Sequence, residues 1–197
     1  LILGLNSNYA GSIKYDTFDI DTIPANKMSK IATLITNDSY LVQGSIRSHL
    51  SVNKHITEED MYNALEKVNL KDFVIENGGL DYQLSCGASN LSGGQKQRLL
   101  AAKAILKDSY IYILDEAVSN IDDYSKKIVL DAFDSIKDGK IIVVISHDLE
   151  TITNSDNIYV LKDQQIIEEG THEQLIDKPS LYKKLFNDQQ QLKEKFL

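Results

Sequence analysis

The chain has 197 residues, 42% hydrophobic and 25% charged, with a formal net charge of −8. That length suits one domain, or a domain with a subdomain, and the composition is that of an ordinary globular protein. The acidic balance argues against nucleic-acid binding through a general basic field, and a single cysteine, Cys86, rules out an internal disulfide framework or a cysteine metal cluster. One cysteine makes a reducing compartment the default expectation. The longest apolar run, Ile141-Ile142-Val143-Val144-Ile145, falls far short of the roughly 20 residues of a membrane span. No leader pattern opens the sequence, so membrane association is expected through a partner or through further sequence. The first residue is Leu, and Met28 and Met61 both lie inside patterned sequence, which suggests a fragment or a processed product.

In chain order, residues 1–5 are apolar and run into Asn6, Ser7 and Asn8, which predicts the tail of a helix or strand followed by a turn. Residues 12–15 and 18–20 are short strand candidates. Residues 30–35 form a stronger one, rich in β-branched side chains and followed by the turn-like Asn37-Asp38-Ser39. A helix is expected from Thr57, whose hydroxyl can cap, with Asp60 three residues on where its carboxylate can reach back. Met61, Leu65 and Val68 then recur on one face. A second helical piece covers 70–75 and stops at Asn77-Gly78-Gly79. From Leu91 the rhythm changes to helix 92–107, strand 110–114, helix 122–136 and strand 141–145, both strands reading as buried on both faces. Residues 158–161 and 165–168 read as a hairpin around Lys162-Asp163-Gln164, and helices around 172–176 and 181–195 follow. Such alternation predicts an α/β fold, a mostly parallel sheet flanked by helices. Residues 1–49 and 91–197 would form its core and 50–90 an inserted helical subdomain.

Leu91-Ser92-Gly93-Gly94-Gln95 is the most informative stretch. Ser92 and Gln95 fit a capping box at a helix start. Gly93 and Gly94 present no side chains there, so a phosphate could reach backbone N–H groups that the helix dipole makes attractive to anions. The plainer reading is a capped helix. Asp115 and Glu116 end an apolar strand, and acids at the carboxyl end of a parallel strand stand where open α/β sheets bind ligands. Two solvated acids at a strand–loop junction are the plain alternative. His147 follows the strand 141–145, whereas His49, His55 and His172 read as surface residues. No G-x-x-x-x-G-K-[ST] phosphate loop occurs in the 197 residues; Gly139-Lys140 lacks both the preceding glycine and the following Ser or Thr.

Taken together, residues 91–95, 110–116 and Ile145-Ser146-His147-Asp148 resemble the ATP-handling core of an ABC transporter nucleotide-binding domain. Residues 36–47 (TNDSYLVQGSIR) and Gly170-Thr171-His172-Glu173 resemble the exporter type. The resemblance covers nearly the whole chain and implies a P-loop NTPase-like fold with ATP and Mg²⁺ as cofactors. It implies that Asp115 helps hold Mg²⁺, that Glu116 polarises the attacking water, and that His147 contacts the terminal phosphate. Asn37 stands where the family has a metal-contacting glutamine, with its amide oxygen on a shorter arm. Ser119-Asn120-Ile121-Asp122 resembles the loop that crosses the dimer seam, which assigns Ser119 and Asp122 to nucleotide binding across it. Ser92, Gly93, Gly94 and Gln95 would close on a nucleotide held by the other subunit.

The implied partners are a second nucleotide-binding domain, arranged head to tail, and a transmembrane domain on the same chain or a separate subunit. Nucleic acid is not among them, and the implied place is the cytoplasmic face of the cell membrane. Tyr82-Gln83-Leu84-Ser85-Cys86 replaces the T-E-V-G-E common in exporters, which implies an altered contact to the membrane domain. Leu1-Ile2-Leu3-Gly4-Leu5 resembles the helix end behind the phosphate loop, and Gly11-Ser12-Ile13 the strand after it. The expectation is therefore a partial domain that begins just past that loop and, in isolation, binds ATP weakly without turning it over. Two other readings stay open. One is a remnant or regulatory domain that donates Ser92 and its neighbours to a complete partner; the other is a soluble ABC ATPase outside transport.

Overall fold

The computed structural model describes residues 1–6 and 8–196, with Phe196 as backbone. Two compact units emerge, Leu1–Ile145 and Ser146–Leu197.

In the first unit, β1 (Lys14–Tyr15) and β2 (Phe18–Asp19) form a short antiparallel pair at the expected place. Residues 1–5 form a turn rather than the tail of a helix or strand, with the Gly4 N–H donating to the Leu1 carbonyl at 2.7 Å and Gly4 at φ 66°. Leu1, Ile2 and Leu5 are exposed, so no core face organises them into a regular element. Ser7 lies outside the described residues; beside it the Asn8 N–H donates to Asn6 Oδ1 at 3.0 Å. The strand expected from residue 30 starts two residues later. A short helix, α1 (Ala25–Ile31), precedes it, opened by Pro24, whose carbonyl accepts the N–H groups of Lys27 and Met28. Met28 is its buried residue, and one inward side chain leaves too little periodicity to show in the sequence.

Three parallel strands make the sheet: β3 (Ala32–Thr36), β6 (Ile111–Asp115) and β7 (Ile141–Ile145), in the order β3-β6-β7. β6 is central and buried, as its apolar sequence requires. β7 departs from expectation: Ile141 is 59% and Ile145 48% exposed. Among the described residues it is paired along one side only, so its apolar run records a capacity for burial rather than burial itself. Helices α5 (Gly93–Leu106) and α6 (Asp123–Asp134) pack with the sheet in one core, where Leu99, Ala102, Leu114 and Val129 are buried. There the Tyr112 and Phe133 rings meet at 5.3 Å.

The helical insert is closed at its base by β4 (Gly44–Ser45) pairing with β5 (Gln83–Leu84). Between them run α2 (Ile46–Leu50), α3 (Glu58–Lys67) and α4 (Lys71–Glu76). The capping box forms as the sequence predicts: Asp60 N–H donates to Thr57 Oγ1 at 3.1 Å, and Thr57 N–H to Asp60 Oδ2 at 2.8 Å. Met61, Leu65 and Val68 are buried, and the chain turns away through Gly78 and Gly79 at φ 106° and 74°. His49 is not a surface residue. It is 5% exposed, its Nε2 lies 3.0 Å from the Val42 carbonyl, and burial pushes its pKa down.

The second unit contains the hairpin β8 (Ile158–Lys162) and β9 (Gln165–Gly170), then α7 (His172–Asp177) and α8 (Leu181–Phe196). Asp163 and Gln164 join the strands at φ 50° and 65°, the left-handed pair that a tight hairpin turn needs. Ile158, Leu175 and Tyr182 form its buried core. His172, also expected at the surface, is half-buried, with Nδ1 2.8 Å from Tyr182 Oη and its ring edge-on to Tyr182 and Phe186. Among the described residues no helix is long and apolar enough to cross a membrane.

Candidate functional site

Parallel register brings Thr36, Asp115 and Ile145 level at the carboxyl edge of the sheet. Asn37 and Glu116, the next residue after the first two, therefore open from the same edge, where such sheets bind ligands. Asp115 is half-buried. Glu116 has φ 50°, a left-handed conformation that costs a residue with a side chain roughly 1–3 kcal/mol and persists only where its surroundings impose it. They do. Its N–H donates to the Ile145 carbonyl at 2.9 Å, and its own carbonyl accepts the Ser119 N–H at 3.1 Å and the Ser119 hydroxyl at 2.9 Å. Asn37 is exposed in a tight turn, closed by Ser39 N–H to the Thr36 carbonyl at 3.1 Å and Thr36 N–H to Ser39 Oγ at 3.0 Å. Among the described residues no three His, Cys, Asp or Glu side chains gather as a metal cage. One carboxylate with an amide nearby suits Mg²⁺, which keeps waters and takes phosphate oxygens rather than a full set of protein ligands.

The start of α5 is the second element. Ser92 Oγ accepts the Gln95 N–H at 3.1 Å, and Gln95 Oε1 accepts the Ser92 N–H at 2.8 Å, so the capping box is complete. The two glycines inside it have different duties. A methyl group on Gly93 would meet nothing within 4 Å, so this position is open to an approaching ligand. On Gly94 it would run into Ser125 Oγ and stand 2.8 Å from Asp122 Oδ2. The packing of α6 is thus by itself enough to require glycine at 94. Asp122 caps α6, accepting the Ser125 N–H at 2.8 Å; that bond, then the Ser125 hydroxyl, holds its carboxyl below the ordinary aspartate range. Residues 91–95 and Asp122 are thereby in contact. The residue that joins them, Ser125, is one that sequence reasoning passed over; Asp122-x-x-Ser125 is its only signal.

His147 belongs to the second unit, two residues beyond the end of β7. Its carbonyl accepts the Gln189 Nε2–H of α8 at 2.6 Å, and the Leu149 N–H donates to Gln189 Oε1 at 3.1 Å. Lys193 pairs with Asp148 at 3.3 Å and with Glu150, and Gln190 Nε2 donates to Glu150 Oε1 at 2.7 Å. Lys193 holds the Glu150 carboxyl below its usual range, and Glu150 holds the Lys193 ammonium above its own. Gln189 was also missed, since nothing near His147 in sequence points to it.

Compared with known proteins, residues 1–119 match the ABC transporter family. An uncharacterized ABC transporter ATP-binding protein of Haemophilus influenzae is 40% identical over 195 residues, covering 98% of this chain and 35% of that protein. An ATP-dependent lipid A-core flippase of Saccharophagus degradans is 34% identical over 194 residues, covering 96% of this chain and 33% of the flippase. The fold is similar to the structure of a bacterial Atm1-family ABC exporter with ATP bound, with a TM-score of 0.87 and 25% identity over 95% of this chain and 34% of that one. The chain therefore spans about a third of the length of these curated relatives.

Proposed function

Because this chain belongs to the ABC transporter family, we propose that it is the ATP-binding and ATP-hydrolysing part of an exporter. The observation that carries the catalytic part is Glu116. It follows Asp115 at the carboxyl end of the central strand, and its neighbours hold its backbone in the left-handed conformation. MgATP, when bound, supplies an electrophilic terminal phosphoryl group. Asp115, with the Asn37 amide oxygen, would hold the metal. Glu116 would orient a water and take its proton, and His147 would contact the terminal phosphate. Ser119 and Asp122 would line the seam with a second nucleotide-binding domain arranged head to tail. The Gly93 and Gly94 N–H groups lie in the first helical turn, where no helical carbonyl serves them, and they would face a phosphate held by that second domain, with Ser92 and Gln95 fixing the turn.

Residues 1–49 and 91–197 would act as the core and 50–90 as the helical subdomain. A transmembrane domain would receive the work, at the cytoplasmic face of the membrane. The 197 residues carry no phosphate loop, so the isolated chain is expected to bind ATP weakly and not to turn it over. The complete capping box and the open Gly93 position also support a second reading, a domain that donates the 91–95 segment to a complete partner.

The test is ATP turnover by the full-length protein with and without Glu116→Gln. The expected result is a kcat loss of about 10²–10⁴-fold with ATP binding retained; equal turnover would overturn the ATPase reading. ATP turnover by the 197-residue chain alone would overturn its expected inactivity. ATP-dependent association of that chain with an intact homologous domain would favour the donor reading.

A further inference from the structure

The side chains of Tyr182, Phe186, Gln189 and Lys193 fall at i, i+4, i+7 and i+11 along α8, one stripe of a helix. The apolar half of that stripe, Tyr182 and Phe186, packs in the same cluster as Leu149 and Ile152. The polar half lies over the backbone just before them. Gln189 bridges the chain around Asp148, giving a hydrogen to the His147 carbonyl at 2.6 Å and taking one from the Leu149 N–H at 3.1 Å. Both ends of the amide are used in the only sense that its donor and acceptor allow. From inside the segment, the Asp148 N–H donates to Ser146 Oγ at 3.0 Å, and the Thr151 hydroxyl to the Asp148 carbonyl at 2.6 Å. His147 belongs to no regular element, so these bonds, rather than a strand ladder, set its backbone.

We propose that Gln189 is a positioning residue for His147: a side-chain amide from the C-terminal helix fixes the peptide that carries the histidine, and Lys193 secures the acids beside it. The inference rests on the ATPase reading above. A glutamate at 189 would set a carboxylate oxygen against the His147 carbonyl while keeping the Leu149 bond, so it breaks one half of the bracket at nearly constant shape. Misplacing a group that touches the reacting phosphate by about 1 Å costs on the order of 10²-fold in rate.

The experiment compares full-length wild type, Gln189→Glu, Lys193→Met, Glu116→Gln and Gln191→Ala. Gln191 is the neighbouring exposed glutamine and serves as the control. The readouts are kcat and KM for ATP, with amide exchange across residues 147–152. Gln189→Glu should lower kcat about ten- to hundredfold with KM within about twofold, and should speed exchange in that segment. Lys193→Met should move both in the same direction by less, and it stands in if the glutamate variant fails to fold. A purely structural role would lower stability and leave kcat per folded molecule at the Gln191→Ala level. That result, with Glu116→Gln inactive, overturns the bracket and leaves the ATPase reading standing. Turnover untouched by Glu116→Gln overturns both.

Discussion

The helix starts at α5 and α7 are built from the same device and differ in what stands inside it. Each has a hydroxyl at the cap and a glutamine three residues on. In α5 the reciprocal bonds are 3.1 and 2.8 Å, in α7 3.3 and 3.0 Å. The first turn of α5 then holds Gly93 and Gly94, whereas that of α7 holds His172 and Glu173. Glu173 answers the positive end of the α7 dipole from within, and His172 bonds Tyr182. α7 is complete as a structural element, while α5 presents its dipole and first-turn N–H groups beside the open Gly93 position. A capping box is thus local grammar that any helix can use. The empty first turn, rather than the box, is what sets α5 apart as a candidate anion site.

The largest effect that tests this contrast is on stability at Gly94. Gly94→Ala forces a methyl group against Ser125 and Asp122, between two packed helices, and should cost about 1–3 kcal/mol in denaturant unfolding. Unchanged stability would mean that α5 and α6 do not press together there, and that Gly94, like Gly93, is bare for a ligand. Next come the caps themselves. Ser92→Ala and Thr171→Ala should each cost about 1 kcal/mol, because each removes the same bond. They should part in function: the first is expected to lower ATP turnover in the full-length protein and the second to leave it alone. Equal effects on turnover would erase the distinction between the two helix starts.

Much of this was legible in the sequence where cause and effect lie within one turn of chain. Thr57 with Asp60, Ser92 with Gln95, and the hairpin around Asp163 and Gln164 are short-range devices, and each folds as its residues dictate. The apolar runs of β6 and β7 both predict burial, yet only β6, paired on both sides, is buried throughout its first four residues. What escaped depends on distant partners. His49 reads as a surface histidine until the Val42 carbonyl and the core around α2 enclose it. Gly94 reads as one of two equivalent glycines until Ser125, 31 residues on, meets one of them. The bond from Gln189 to the His147 carbonyl spans 42 residues, and no periodicity on either side announces it. For the candidate residues, sequence therefore nominates the side chains, while the means of holding them emerges from packing.

The smallest expected change in stability is the most discriminating for function. Gly93 is the first residue of α5, and nothing lies within 4 Å of where its side chain would point. Gly93→Glu replaces a poor helix former and puts an acid where α7 has Glu173 nearby, so it should stabilise the fold by roughly 0.3–1 kcal/mol. If α5 is only a capped helix, that gain is the whole effect. If its open first turn receives a phosphate, the new carboxylate meets a like charge at close range, and the full-length protein should lose at least about tenfold in kcat/KM for ATP, or about 1.4 kcal/mol in transition-state stabilisation. The reciprocal change, Glu173→Gly, should lower stability by a similar small amount and leave turnover untouched. A Gly93→Glu protein that is more stable and fully active would reduce the start of α5 to what α7 already is.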